Sequence, residues 1–339
     1  MRKTGLTVVV MLAMLALVAC GPQAAAPTPT TPPVAQETPT TPAMETPTVA
    51  AEATPTETAP TGAMATPTTM AEGTPVGGGA TLEDIKRRGK LIVGVKYDVP
   101  LFGFLNPETN QVEGFDVDMG RAVAQQIFGD PNAVEFKEAI SRNRIPYLQQ
   151  GVVDIVFSTM TANEERAQQI DFTDCYYIAG QSLLVPVNSD IQSINDLAGK
   201  RVGTVQGSTS EKNIREKAPQ ANVELFATYA EAVQAMESGR VDAVTTDDII
   251  LYGFQSRNPD KFKVVGGQFT IEPYAGGVRK GNTALLEQAN AAIRAMKQDG
   301  RWAELYRKWI PAEQVPPPPP ADWREVYKMQ ATPGATVTP

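Results

Sequence analysis

Short apolar runs alternate with amphipathic segments through the middle of the chain. The run 91–95, LIVGV, is bounded by a glycine and by polar residues, which indicates a strand. In 115–128 the apolar residues recur at helical spacing. Repeated strand–helix units imply an α/β fold with parallel sheets flanked by helices. The same pattern predicts further strands at 134–137, 152–157, 201–205, 223–226 and 241–245, and further helices at 143–150, 208–217 and 229–237.

Polar residues follow four of these predicted strands. In sheets built from strand–helix units, ligands bind beyond the carboxyl ends of the strands. Two of the four ends lead directly into a helix, whose free N–H groups suit a carboxylate. Arg144 and Arg166 lie on either side of the strand 152–157, which suits binding a small anion. The strand-end residues are Lys96, Ser158, Thr159 and Thr161, then Gln206 to Ser210, and finally Thr246 and Asp247.

The first twenty residues indicate export from the cell. Arg2 and Lys3 precede an apolar run at 6–18 that is too short to span a bilayer. The segment 17–21, LVACG, resembles the lipobox of bacterial lipoproteins, which implies that Cys20 is diacylated and anchors the chain to the membrane. The alternative is an ordinary signal peptide with an incidental cysteine. With Cys20 modified, Cys175 has no disulfide partner and is predicted to be a small, half-buried residue.

Composition changes on both sides of a central region, 80–311. Residues 21–80 are almost entirely Pro, Thr, Ala, Glu and Gly. Such a segment buries too little apolar surface to offset its ordering entropy, so a disordered tether is predicted there. The five prolines 316–320 predict an end to the fold, and 329–339 is predicted to be disordered. A short helical turn at 322–328 is predicted to dock through Trp323 and Tyr327.

Charge and residue usage limit the possible functions. The chain has 30 Lys and Arg against 38 Asp and Glu, a formal net charge of −8, and no histidine. The negative charge argues against nucleic-acid binding, and the lack of histidine excludes His-based acid–base catalysis, His metal sites and Ser-His triads. Asp116 and Asp118 begin a predicted helix and are interpreted as partners of its dipole rather than metal ligands. We predict no cofactor, no metal site and no enzymatic activity.

Seven segments occur in the order found in a known family. Together they resemble the extracellular solute-binding proteins of polar amino-acid ABC importers (family 3) over residues 81–311, and the segment Asn-Arg-Ile-Pro resembles the glutamate- and aspartate-binding members. The seven segments are 94–98 (GVKYD), 114–118 (GFDVD), 143–146 (NRIP), 159–166 (TMTANEER), 170–172 (IDF), 205–209 (VQGST) and 241–244 (VDAV).

This resemblance implies a two-lobed, periplasmic-binding-protein-like (Venus flytrap) fold with two hinge crossovers. Each lobe is expected to be a mostly parallel sheet flanked by helices. Lobe 1 is expected at 81–183 and 277–311 and lobe 2 at 184–276, with crossovers near 181–183 and 271–275. The remaining segments are the signal peptide 1–20, the tether 21–80 and the Pro-rich tail 312–339.

The resemblance also implies roles for individual residues. Arg166, with Thr161, corresponds to the group that binds the ligand α-carboxylate, and Asp247 to the group that binds the α-ammonium. Arg144 with Ser141 corresponds to the pair that reads an acidic side chain. In place of the family's usual Thr-Pro, this chain has Asn163-Glu164, which also starts a helix. The predicted ligand-binding set is Lys96, Ser141, Arg144, Thr159, Thr161, Arg166, Thr209, Ser210 and Asp247.

Charge matching favours an acidic ligand. Lys96, Arg144 and Arg166 supply three positive charges and Asp247 one negative charge, which match the two carboxylates and the ammonium of glutamate or aspartate. The predicted function is a monomeric, membrane-anchored receptor that delivers this ligand to the permease subunits of an ABC importer. The alternatives are a receptor for another polar amino acid such as glutamine, a sensory binding module, and a cyclohexadienyl-dehydratase-like lyase.

Overall fold

The structure, a computed structural model, describes residues 79–330. The predicted signal peptide, Cys20, the tether up to residue 78 and the tail from residue 331 lie outside the described residues. The strands are β1 (Leu91–Val95), β2 (Asp98–Val99), β3 (Gly103–Asn106), β4 (Gln111–Glu113), β5 (Val134–Glu138), β6 (Ile155–Val156), β7 (Ile170–Ala179), β8 (Gln181–Pro186), β9 (Arg201–Val205), β10 (Asn222–Phe226), β11 (Ala243–Asp247), β12 (Phe262–Val265) and β13 (Glu272–Arg279).

The helices pack mainly against the faces of two sheets. Between residues 79 and 330, none of them has the length and apolar composition that a membrane crossing requires. The α-helices are α1 (Leu82–Arg88), α2 (Phe115–Phe128), α3 (Arg144–Gln149), α4 (Glu164–Ala167), α5 (Thr209–Lys217), α6 (Tyr229–Glu237), α7 (Asp248–Arg257), α8 (Thr283–Asp299), α9 (Arg301–Trp309) and α10 (Trp323–Gln330).

Two five-stranded sheets form two lobes, ordered β5-β1-β6-β13-β7 in the first and β10-β9-β11-β8-β12 in the second. In each sheet four strands run in one direction and one strand runs against its neighbours: β13 in the first lobe and β8 in the second. The reversed strand is in each case the one that enters its sheet from a crossover. The expected two-lobed α/β fold with mostly parallel sheets is confirmed.

The chain crosses between the sheets twice. The first crossover is Gly180, between β7 and β8, and the second is 266–271, between β12 and β13. They lie side by side, since a Cβ on Gly180 would approach the Thr270 carbonyl oxygen to 2.6 Å. The chain therefore passes from one sheet to the other a few residues before the predicted boundaries at 183/184 and 276/277. Apolar strand sequence continues through residues 183 and 184, so the pattern contains no signal for the first boundary.

The hydrophobic pattern predicts six of the ten strands of the two sheets and does not predict β7, β8, β12 or β13. β1, α2, β9 and α6 have the predicted bounds. β6 is limited to Ile155–Val156, because the N–H groups of Val152 and Val153 donate to the Tyr147 carbonyl and close the turn after α3. β11 begins at Ala243 and ends at Asp247, two residues later than predicted. The small sheet β2-β3-β4 was not predicted.

The start of α2 is set by a close backbone contact. Gly114 precedes the helix with φ of 136°, and a Cβ there would lie 2.1 Å from the Phe102 carbonyl oxygen. Only glycine tolerates both the conformation and the approach. Phe102 is itself fully buried and stacks on Phe115 with ring centroids 5.5 Å apart. This contact places the first turn of α2, including Asp116, inside the lobe.

The last helix packs on the first lobe. Trp323 and Val326 of α10 are 4% and 0% exposed and cover Cys175 on β7. The Tyr327 hydroxyl donates to the Ala162 carbonyl at 2.9 Å. Docking through Trp323 and Tyr327 is therefore confirmed. The predicted half-burial of Cys175 is wrong, because α10 leaves this side chain with no exposed surface.

Candidate functional site

The nine residues predicted to bind a ligand lie where the two lobes face each other. Arg166 and Thr209 are half-buried, and the other seven are almost fully buried. Lys96 follows β1, Ser141 and Arg144 lie at the start of α3, Thr159 and Thr161 follow β6, Arg166 lies on α4, Thr209 and Ser210 begin α5, and Asp247 ends β11.

Arg144 is held by backbone carbonyls. Its Nε donates to the Ser141 oxygen at 3.2 Å, and Nη1 donates to the Ser158 and Thr159 oxygens at 2.9 and 3.0 Å. Its Nη2 reaches the Gly207 oxygen of the second lobe at 3.5 Å. These bonds use four of the five N–H donors that a guanidinium has. Arg144 therefore organises the loop after β6 and has little donor capacity left for a ligand carboxylate.

Arg166 lies at the boundary between the lobes. The side chain of Asn163 caps α4 by accepting from the Arg166 backbone N–H at 2.9 Å, as predicted. The guanidinium donates to the Thr161 oxygen at 2.7 Å and to the Gly207 oxygen at 3.1 Å. These two contacts leave further N–H donors of Arg166 for an anion.

Hydroxyl groups and a cavity complete this side of the cleft. The Thr161 and Thr209 hydroxyls lie 3.4 Å apart across the lobes, and the Ser210 hydroxyl lies 3.4 Å from that of Thr246. A cavity of about 280 Å³ is lined by Ser141, Arg144 and Arg166 from the first lobe and by Gly207, Ser208 and Thr209 from the second. Its walls combine guanidinium and hydroxyl donors, which suits a small polar anion.

Asp247 carries an incomplete set of hydrogen bonds. Its side chain is buried, and Oδ2 accepts from the Tyr274 hydroxyl at 2.5 Å. Oδ1 is buried with no hydrogen-bond partner among the described residues. Burial, followed by the charge of Glu272, raises the pKa of Asp247 well above its usual value. A buried carboxylate oxygen without a donor is a candidate acceptor for a ligand ammonium.

Two acidic residues near the cleft were not included in the sequence-based charge count. Asp116 lies in the first turn of α2, as its interpretation as a helix-dipole partner requires. It is also fully buried, and it accepts from the Tyr176 hydroxyl at 2.5 Å and the Thr159 N–H at 2.7 Å. Burial raises the pKa of Asp116 to about 7. Glu272 is 3% exposed and interacts electrostatically with Arg166. The GFDVD segment was a signal for Asp116, but its burial depends on contacts distant in sequence.

Lys96 is a weaker cation than its residue type suggests. Its ammonium donates to the Ser141 hydroxyl at 3.0 Å and lies 5.5 Å from the ring of Tyr229, a buried second-lobe residue that the sequence reasoning missed. Burial, followed by the charge of Arg144, lowers the pKa of Lys96 to about 7. At neutral pH the ammonium is therefore only partly protonated.

Direct contacts join the rims of the two lobes. Asp98 Oδ2, in the first lobe, accepts from the N–H groups of Tyr229 and Ala230 at the start of α6, at 2.7 and 3.2 Å. On the other side, the Lys212 ammonium lies 3.3 Å from a Glu165 carboxylate oxygen. The structure is thus a closed form, in which the predicted ligand-binding residues of both lobes are in contact.

Three larger cavities lie away from most of the predicted residues, and the smallest of these, of about 380 Å³, lies between α2 and α9. One, of about 750 Å³, lies between α5, the second crossover and α10. Another, of about 690 Å³, lies beneath the prolines 316–320. Of the nine predicted residues, Thr209 alone lines any of these three cavities. The smaller interlobe cavity, in contrast, is lined by four of the nine: Ser141, Arg144, Arg166 and Thr209.

Comparison with characterised proteins identifies the scaffold. The family model of the bacterial extracellular solute-binding proteins, family 3, matches residues 91–312. The ABC transporter glutamine-binding protein GlnH of Bacillus subtilis (strain 168) is 48% identical over 237 residues, which are 69% of this chain and 86% of that protein. The glutamate-binding protein GluB of Corynebacterium efficiens is 34% identical over 235 residues, 66% of this chain and 79% of that protein.

A solved structure agrees with these relatives. An ancestral arginine-binding protein bound to glutamine superposes with a TM-score of 0.63 and 43% identity, covering 66% of this chain and 99% of that one. The match extends over both lobes, and the family model alone covers well over half of the residues. The chain therefore belongs to the bacterial extracellular solute-binding proteins, family 3, and is a solute-binding protein of amino-acid ABC importers.

Proposed function

We propose that this protein captures glutamine between its lobes and presents it to the permease of an ABC importer. In this proposal the closed form traps the amino acid, with its α-carboxylate on Arg166 and its α-ammonium on Asp247. Bridging both lobes stabilises the closed form because the ligand has a higher affinity for it than for an open one. The observation that carries the choice of glutamine is the charge balance of the cleft.

Buried acidic residues lie beside the cations of the cleft. The sequence count of three cations against Asp247 favoured a ligand with two carboxylates. Burial places Asp116 beside Lys96 and Arg144, whose charges act on its carboxylate, and places Glu272 near Arg166. Together with Asp247, and with Asp98 and Glu138, whose charges act on Lys96, they offset the cations that the sequence count left unmatched. A zwitterion with a neutral side chain leaves this balance intact, whereas a second ligand carboxylate adds an unmatched negative charge.

The groups assigned to a side-chain carboxylate are engaged elsewhere. Arg144 donates most of its N–H groups to backbone carbonyls, and Lys96 has a lowered pKa. An amide, which both donates and accepts, is matched by the neighbouring ammonium and the Ser141 hydroxyl. The relative named as glutamine-binding is also more similar to this chain than the relative named as glutamate-binding, at 48% against 34% identity.

Calorimetric titration of the full chain tests this proposal after bound ligand is removed by unfolding and refolding. We expect glutamine to bind at least tenfold more tightly than glutamate, aspartate or arginine, because a hydrogen-bonding site discriminates strongly against a mismatched group. Glutamine is expected to be recovered chemically unchanged, as a transport receptor requires and a lyase does not. Tighter binding of glutamate would reject the glutamine assignment and restore the acidic one.

We further propose that the protein acts as a monomer held at the outer face of the cell membrane by lipid on Cys20. The lipobox-like segment 17–21 and the Pro- and Thr-rich composition of 21–78 support an anchor followed by a tether. Replacing Cys20 by serine is expected to release most of the protein into the medium while its glutamine affinity stays within twofold. Retention of the variant on washed cells would contradict the lipid anchor.

A further inference from the structure

We propose that Asp116 is a positioning residue that holds the loop after β6 in the conformation needed to bind the amino acid. This inference rests on the proposed function in one respect, since it takes the interlobe cleft as the ligand site. The loop contains Ser158, Thr159 and Thr161, and it joins β6 to α4. Asp116 lies 43 residues earlier in the chain, on the first turn of α2.

The loop contains an unfavourable backbone conformation. Thr159 has φ of 43°, in the left-handed region. Among residues 79–330, the other non-glycine residues with positive φ are Leu101 and Asn110, so Thr159 is the β-branched one. A β-branched side chain is disfavoured in this region and persists there only when surrounding contacts hold it. Some interaction must therefore stabilise this peptide.

The carboxylate of Asp116 supplies that interaction. Its Oδ2 accepts the Thr159 N–H at 2.7 Å, and its Oδ1 accepts the Tyr176 hydroxyl at 2.5 Å. The backbone of Asp116 is also fixed, because its N–H donates to the Phe102 oxygen at 3.0 Å. One oxygen is thus anchored to β7 and the other binds the strained peptide.

The peptide between Ser158 and Thr159, whose N–H bonds to Asp116, positions the rest of the binding loop. Arg144 Nη1 donates at 2.9 Å to the Ser158 oxygen, which is the carbonyl of this same peptide, and at 3.0 Å to the Thr159 oxygen of the next one. Nη2 of the same guanidinium reaches the Gly207 oxygen of the second lobe. The Thr159 hydroxyl is buried with no hydrogen-bond partner among the described residues. Rotation of this peptide would release Arg144 and displace a hydroxyl that is free to meet a ligand. Asp116 therefore acts on the ligand through the position of Thr159, in the loop that Arg144 also holds.

A double-mutant cycle tests this role in the full chain. Asp116→Leu keeps the volume of the side chain but removes both acceptor oxygens, and we expect it to weaken glutamine binding at least tenfold. Glycine adopts the left-handed conformation readily. In a Thr159→Gly background, the further change Asp116→Leu is therefore expected to weaken binding less than threefold. Asp116→Asn retains an oxygen for the Thr159 N–H and is expected to stay within about threefold of wild type.

Asp118→Asn is the matched control. Asp118 lies on the same turn of α2 but contacts Lys308, Trp309 and Arg121 away from the cleft, so its replacement should leave affinity unchanged. An equal loss for Asp116→Leu in both backgrounds, or a lower melting temperature with unchanged affinity, would overturn the positioning role.

Two further measurements test the proposal if the Asp116→Leu variant does not fold or if glutamine is not the ligand. If Asp116→Leu does not fold, amide exchange of Thr159 in the wild type answers the question: strong protection is expected, and fast exchange would reject the proposal. The titrations are run with glutamine, glutamate and arginine in parallel. A wild type that binds only glutamate or arginine would refute the glutamine proposal alone, because the cycle is then evaluated with that amino acid.

Discussion

Exchange of Asp247 for asparagine is expected to weaken amino-acid binding by at least a hundredfold. The carboxylate is buried, one oxygen is held by Tyr274, and the other has no partner among the described residues. Removing one member of a buried, hydrogen-bonded charge pair costs about 3 kcal/mol or more, which is roughly a hundredfold in affinity. Asparagine keeps the shape but cannot neutralise an ammonium. Calorimetric titration with glutamine measures the loss.

The pH dependence of binding provides a second test of Asp247. Its pKa is raised in the ligand-free cleft, and an adjacent ammonium favours the ionised form and lowers it. Binding therefore releases a proton, and affinity should decrease as pH falls through the raised value. Asp242→Asn is the control, because Asp242 precedes the same strand and pairs with Arg201 at the surface. A loss below fivefold for Asp247→Asn would contradict its role as the ammonium site.

Deletion of the chain after Ala312, where the family match ends, is expected to lower the melting temperature by roughly 10 °C. The deletion removes Trp323 and Val326, two buried apolar side chains, whose burial together contributes on the order of 4 kcal/mol. For a domain of this size, each kcal/mol corresponds to about 2–4 °C. It also removes the Ala321 oxygen that accepts the Cys175 N–H at 2.8 Å. Differential scanning calorimetry measures the shift.

The reactivity of the Cys175 thiol shows whether the lower melting temperature results from the loss of α10. Burial raises the pKa of Cys175 to about 12, so its thiol should be inert in the intact protein and reactive after the deletion. A Cys20→Ser background makes Cys175 the only cysteine. Ending the chain after Gln330 instead retains α10 and serves as the control. A melting temperature within 2 °C of the control, with Cys175 still inert, would show that α10 does not stabilise the lobe.

Local sequence determined much of the scaffold. The apolar periodicity of 91–95, 115–128 and 229–237 is strong, and β1, α2 and α6 have the predicted bounds. The aromatic residues Trp323 and Tyr327 likewise indicated a docked C-terminal helix. The polar residues at strand ends predicted the position of the cleft because the carboxyl ends of parallel strands meet at one edge of a sheet. All nine predicted residues consequently lie at the interlobe cleft, although their roles stay predictions.

Tertiary structure alone decided the electrostatics of that cleft. From the sequence, Arg144 counted as a free cation and Asp116 as a helix-dipole partner. In the folded protein most N–H donors of Arg144 bond to backbone carbonyls. Asp116 is buried against Tyr176, which is 60 residues away in the chain. Such pairings depend on how the chain returns through its crossovers, and local periodicity carries no information about that path. The sequence therefore determined that this protein has an amino-acid-binding cleft, whereas long-range contacts decided which charges remain available to the ligand.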